Sequence, residues 1–222
     1  MDGKILTEKL LAYAQEFLHL DKLDAIYTRN LLLREFRLTE PAEEADVADV
    51  KKMSVPDELV AAVESYAREN GLCEEGTENL YSTYIFGILT PKPSKVNEEF
   101  YRQRESEGVE AACAYFYDMC IKNNYIQKTA IDKNLKWEYR DGNNILEITI
   151  NLSKPEKDNK EIAKLLTVKK SDKPKYPKCL LCKENEGFEG SLSHPARENI
   201  RTIKLDLAGE DWFVQYSPYA YY

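Results

Sequence analysis

The hydrophobic period of this chain changes near residue 135, and that change limits the folds open to it. Before it, Leu6, Leu10, Tyr13, Phe17 and Leu20 recur at three- and four-residue steps, the spacing of one helical face. After it, Leu146, Ile148, Ile150 and Leu152 alternate with Glu147, Thr149 and Asn151, the pattern of a half-buried strand. A run of helices followed by a run of strands predicts an α+β protein rather than a parallel α/β one. The expected architecture is a helical N-terminal portion, residues 1–130, followed by a mixed or antiparallel sheet with hairpins in residues 131–222.

Local signals mark the elements. A second helix is expected from Asp21 to about Phe36, and the acidic stretch Glu40 to Asp49, with Pro41 in it, reads as a connector. Ser54 or Val55 ahead of Pro56, Asp57 and Glu58 predicts a new helix with proline in its first turn, stopped by Gly71. Ser94 is a candidate cap for a helix reaching about Glu105, and another runs from about Val109 to Lys122, burying Ala112, Tyr115, Phe116, Met119 and Cys120. Asp141-Gly142 predicts a hairpin between Leu135–Tyr139 and Leu146–Leu152, with a loop slightly longer than two residues. Pro155 to Leu166 reads as a short helix. Two more strands, about Ile200 to Leu207 and Trp212 to Tyr216, are joined by the turn Ala208 to Asp211.

Composition excludes several functions. Thirty-one basic against thirty-nine acidic side chains leave a net charge of −8, which argues against nucleic acid, whose phosphates demand a basic surplus. No stretch approaches the ~20 apolar residues of a membrane span. Lys4, Glu8 and Lys9 interrupt the apolar start, so no signal peptide is read and a cytoplasmic location is expected. An odd count of five cysteines in such a chain speaks against a disulfide framework, and Cys73, Cys113 and Cys120 read as buried thiols.

Cys179-Leu-Leu-Cys182 is the most pointed feature. Two thiolates at this spacing can chelate one tetrahedral ion such as zinc, but they are half a site, and inert thiols or redox chemistry remain alternatives. Downstream, Gly187 and Gly190 bracket Phe188, which can stack on a base or simply belong to a turn. His194-Pro-Ala-Arg197 offers a base or an anion-binding guanidinium, with a hydrogen-bonded structural histidine as the plainer alternative. No phosphate-binding glycine loop and no nucleophile elbow is present in the sequence.

At these residues the sequence resembles a known family. Leu146 to Lys157, Tyr176 to Gly190, His194 to Arg197 and Gln215 to Tyr219, together with Gly87 to Val96, resemble the N-terminal half of the class II galactose-1-phosphate uridylyltransferases of bacteria. The likeness spans nearly the whole chain and is strongest after about residue 140. It implies an enzyme of galactose metabolism, with UDP-glucose and galactose 1-phosphate as partners of the complete protein. In that family a histidine attacks the α-phosphorus of UDP-glucose, releases glucose 1-phosphate and carries the uridylyl group to galactose 1-phosphate, so one displacement becomes two. A homodimer is compatible with the resemblance.

The resemblance also implies what the chain lacks. The nucleophilic histidine is expected beyond Tyr222, no catalytic residue is assigned here, and the 222-residue chain is expected to be inactive alone. Residues 131–222 would then be an incomplete nucleotide-binding half. Cys179 and Cys182 match the zinc-binding Cys-x-x-Cys of many class I relatives, making zinc the candidate cofactor. Phe188 falls where an apolar residue packs near the uracil, and Arg197 is a candidate phosphate contact. The competing expectation is a noncatalytic, metal-stabilised binding or scaffold module derived from the same fold.

Overall fold

The computed structural model describes residues 1–152, 176–178, 182–190 and 196–218. Seven α-helices and two antiparallel hairpins are formed among them, which makes the chain α+β with its helices first.

Helix α1 (Gly3–Phe17) begins at Asp2, whose carboxylate accepts hydrogen bonds from the amides of Lys4 and Ile5, donors the first turn leaves without partners. It buries Leu6, Leu10, Leu11 and Tyr13. The Tyr13 ring stands edge-on to Phe86, and its hydroxyl donates to the carbonyl of Lys122 at 2.9 Å. Helix α2 (Lys22–Glu35) is capped by Asp21, whose carboxylate accepts from the amide of Leu23, and α3 (Asp57–Glu69) packs against α1. Pro56 occupies the N-cap of α3 rather than its first turn. Gly71 adopts φ +58° and lets the amide of Leu72 reach the carbonyl of Ala67 at 2.9 Å, closing the helix as its sequence suggests.

Helix α4 (Glu78–Leu89) packs on α3 and was not legible in the sequence. Helix α5 (Pro93–Ser106) starts from Lys92 with Pro93 in its first turn, so Ser94 lies inside the helix and makes no cap hydrogen bond. Helix α6 (Val109–Lys122) runs alongside α5 and buries Ala112, Phe116, Met119 and Cys120 as expected, while Tyr115 is half-buried. The short α7 (Lys128–Ile131) ends the helical run. Of the three cysteines read as buried, only Cys120 is; Cys73 is half-buried and Cys113 is exposed, because it lies on the side of α6 that faces an open groove.

Strands β1 (Leu135–Asp141) and β2 (Asn144–Ile150) pair antiparallel. Their loop is the two residues Gly142 and Asn143, shorter than expected, with positive φ at Gly142 alone. The strand read as half-buried is exposed except for a half-buried Ile148, because the hairpin pairs chiefly with itself. Strands β3 (Ile203–Leu207) and β4 (Glu210–Val214) form the second hairpin, turned through Ala208 and Gly209, both at positive φ. Hairpin β3–β4 leans on α5, and Ile200 and Ile203 join the core formed by the helices. The region expected to be a helix from Pro155 to Leu166 lies outside the described residues, as do Cys179, His194 and Tyr219 to Tyr222.

Candidate functional site

The candidate site is the loop preceding β3, folded back onto the ends of α4 and α6. It starts with Cys182, half-buried at the head of a 3₁₀ turn (Lys183–Asn185). The Cys182 carbonyl accepts from the Asn185 amide at 3.1 Å and from its side-chain nitrogen at 2.8 Å. Gly187, at φ +81°, then reverses the chain so that its amide donates to the carbonyl of Arg197 at 3.2 Å. The Arg197 amide in turn donates to the carbonyl of Phe188 at 2.7 Å. Two candidate contacts nine residues apart in sequence are thus hydrogen-bonded through their main chains.

The arginine is also oriented. Its guanidinium lies over the ring of Tyr125 at 5.8 Å, a cation–π arrangement that leaves N–H donors for an anion. Tyr125 follows Asn124, whose left-handed φ of +61° ends α6, and its hydroxyl donates to the carbonyl of Tyr216 at 3.0 Å. Arg197 and Tyr125 line a cavity of about 80 Å³ together with Asn79, Thr83 and Gln127, and this opens beside a larger polar groove containing Glu64 and Lys133. Phe188 is half-buried.

Behind Arg197 the loop is clamped to the helices. The Asn123 side chain donates to the carbonyl of Asn199 at 2.6 Å, and the Asn199 side chain returns a bond to the carbonyl of Asn123 at 3.0 Å. Arg201 is buried and spreads its donors over five carbonyl oxygens: Gly87, Thr90 and Pro91 at the end of α4, and Glu198 and Ile200 in the loop. Carbonyls at the C-terminus of a helix have no intrahelical donors, and here a side chain supplies them. Burial pulls the Arg201 guanidinium down to about 10, opposed by Glu186 and Cys120, so it stays charged at neutral pH. Glu186 accepts both the amide and the hydroxyl of Thr202, at 3.0 and 2.9 Å. Its pKa is nevertheless raised, because burial outweighs these bonds.

Glu198 is the anomaly of the loop. Its main chain and Cβ press on Gly87 so closely that a Cβ built there would stand 2.7 to 2.8 Å from them. One carboxylate oxygen of Glu198 is buried without a hydrogen bond. Burial, and after it the charge of Glu189, raise its pKa to about 8, so it holds a proton at neutral pH.

The remaining sequence-read residues are placed as follows. His19 is exposed in a left-handed turn after α1. Among the described residues no cluster of three or more His, Cys, Asp or Glu side chains is arranged to hold a metal ion, and Cys182 is the only member of the Cys-x-x-Cys pair that is placed. Glu198, Asn199 and Arg201 were not singled out from sequence; adjacency to His194-Pro-Ala-Arg197 was the available signal. An apolar groove of about 570 Å³ between α5, α6 and β3–β4 shares no lining residue with the Arg197 cavity.

The loop and the body that holds it are those of a uridyl transferase domain: the chain belongs to the galactose-1-phosphate uridyl transferase family, whose N-terminal-domain model matches residues 20–208. Similar proteins, each named galactose-1-phosphate uridylyltransferase, occur in Caldanaerobacter subterraneus at 41% identity over all of this chain, in Clostridium acetobutylicum at 41% over 96% of it, and in Bacillus subtilis at 40% over 97%. The chain spans 42% of the length of each of these relatives. No solved structure matches it. No helix among the described residues is long and apolar enough to cross a membrane.

Proposed function

We propose that this chain is the N-terminal part of a cytoplasmic enzyme that moves a uridylyl group from UDP-glucose to galactose 1-phosphate. The observation carrying this reading is the pairing of Phe188 with Arg197 inside a region that matches the family's N-terminal domain. An aromatic and an oriented guanidinium, held together by main-chain bonds, suit a ligand with a base at one end and phosphate at the other. In this reading Arg197 receives phosphate oxygen, Phe188 lies against the uracil, and the clamp of Arg201 and Asn199 fixes both. The histidine that forms the covalent uridylyl intermediate comes from a part of the enzyme outside this chain.

Turnover of UDP-glucose with galactose 1-phosphate is the test. The chain alone should give none, whereas coexpression with the remaining part of the Bacillus subtilis relative should restore it. In the restored enzyme Arg197→Leu should lower kcat/KM by about tenfold or more, the size of a lost charge-assisted contact. Enzyme-like rates from the chain alone would refute the assignment of the nucleophile.

In this reading Cys179 and Cys182 would be two thiolate ligands of a zinc ion, half of a tetrahedral set. Half a set binds weakly, so the dialysed chain should retain well under one equivalent of zinc. A full equivalent that disappears in Cys182→Ser would instead favour the metal-stabilised scaffold.

A further inference from the structure

Hairpin β1–β2 has two unlike faces. In its register Leu135 stands opposite Ile150, Trp137 opposite Ile148 and Tyr139 opposite Leu146, so three apolar cross-strand pairs share one side. Five of these six residues are 44 to 59% exposed, and Ile148 is half-buried. The opposite side carries Lys136, Glu138, Arg140, Glu147 and Thr149 with one exposed aliphatic, Ile145, and there Lys136 pairs with Glu147 at 3.0 Å and Arg140 with Glu138 at 2.7 Å. That side is mainly polar, and its charges are paired. The apolar side is a continuous patch of two aromatics and four aliphatics, of the kind that soluble domains cover. A two-stranded hairpin is itself only marginally stable without such cover.

We propose that this apolar face is the seat of the part of the family's polypeptide that lies outside the match, so that the hairpin becomes part of a packed layer when the enzyme is whole. More than half of each relative's length lies outside the match, enough chain to supply a facing layer. A second copy of this chain is the weaker occupant, since each copy brings a net charge of −8. The inference rests on family membership and not on the uridylyl-transfer reading, because assembly is read without turnover.

The two tryptophans make the test direct. Trp137 lies on the apolar face and Trp212 on β4, both exposed, so Trp212→Phe leaves Trp137 as the one tryptophan of this chain, and its signal in the assembly is the difference from a chain carrying Trp137→Phe as well. The chain carrying Trp212→Phe is coexpressed with the remaining part of the Bacillus subtilis relative, which lets the two parts fold together, and is compared with the chain alone. The expected result is co-purification, a blue shift of Trp137 emission and several-fold slower quenching by acrylamide. Ile148→Lys should abolish co-purification while leaving the thermal unfolding of the isolated chain unchanged. Failure to co-purify, or co-purification with Trp137 still water-exposed, overturns the proposal. So does a blue emission already present in the chain alone: if independent of concentration, the chain covers its own hairpin, and if concentration-dependent, a second copy does. Assembly without turnover would leave the interface standing and count against the functional reading alone.

Discussion

Residues 196–202 contribute Ala196, Asn199, Ile200, Arg201 and Thr202 to the interior, whereas every residue of β1 lies exposed. Both segments mix apolar and polar side chains, so composition does not separate them. The loop finds acceptors and donors already fixed by α4 and α6, so its polar groups, one carboxylate oxygen of Glu198 excepted, are satisfied in burial and its ordering is repaid. Among the described residues the hairpin pairs chiefly with itself. A segment without regular structure is thereby the better-anchored of the two, and a regular ladder the less supported.

Four measurements would break or sharpen this contrast. Arg201→Ala strips five carbonyls of their donor and leaves a hole, and should cost about 3 kcal/mol in urea unfolding followed by helical circular dichroism. A cost under ~0.5 kcal/mol, the size of an ordinary surface change, would show the clamp to be ornamental. Gly87→Ala pushes a methyl into the main chain of Glu198 and should cost about 2 kcal/mol, with faster amide exchange at residues 197–202.

Glu198→Gln tests the protonated carboxyl. A carboxyl whose folded pKa is raised binds its proton more tightly in the native state, so its contribution to stability falls as pH rises from about 4.5 toward about 8. The amide removes that loss. After allowance for solvent screening, the variant should gain on the order of 1 kcal/mol at pH 8 and nothing at pH 5, read as melting temperature against pH. A gain of equal size at both pH values would mean that the carboxyl is not the cause. Finally, Trp137→Ser should change the stability of the isolated chain by under ~0.5 kcal/mol, since little buried contact is lost. A loss of core size would erase the contrast between hairpin and loop.

Much of the frame was legible because it depends on near neighbours. The stripe of α1, the Asp21 start of α2, the Gly71 stop and the alternation of β2 are signals within a few residues. Helix α4 escaped notice because Glu78–Leu89 carries Tyr, Ser, Thr and Gly87 among its apolar residues, poor intrinsic helix formers without a clean stripe. Its helicity is set by packing on α3 and by Arg201 at its end. In the candidate site, Phe188 and Arg197 were visible as residue types beside glycines and a histidine. The clamp was not, because Arg201 meets Gly87 and Pro91 across more than a hundred residues of sequence. The exposure of β1–β2 was likewise hidden, since alternation tells which face is apolar but not whether anything covers it.

The contact between Gly87 and Glu198 constrains how this sequence can drift. What crowds position 87 is the carbonyl, main-chain carbon and Cβ of residue 198, atoms that every residue but glycine retains. No exchange at 198 can make room for a larger side chain at 87 while the loop keeps its path. A library randomised at both positions and selected for folding should therefore return glycine at 87 beside many different residues at 198. The coupling runs one way: the helix position is held by its neighbour's backbone, and the loop position owes it nothing in return.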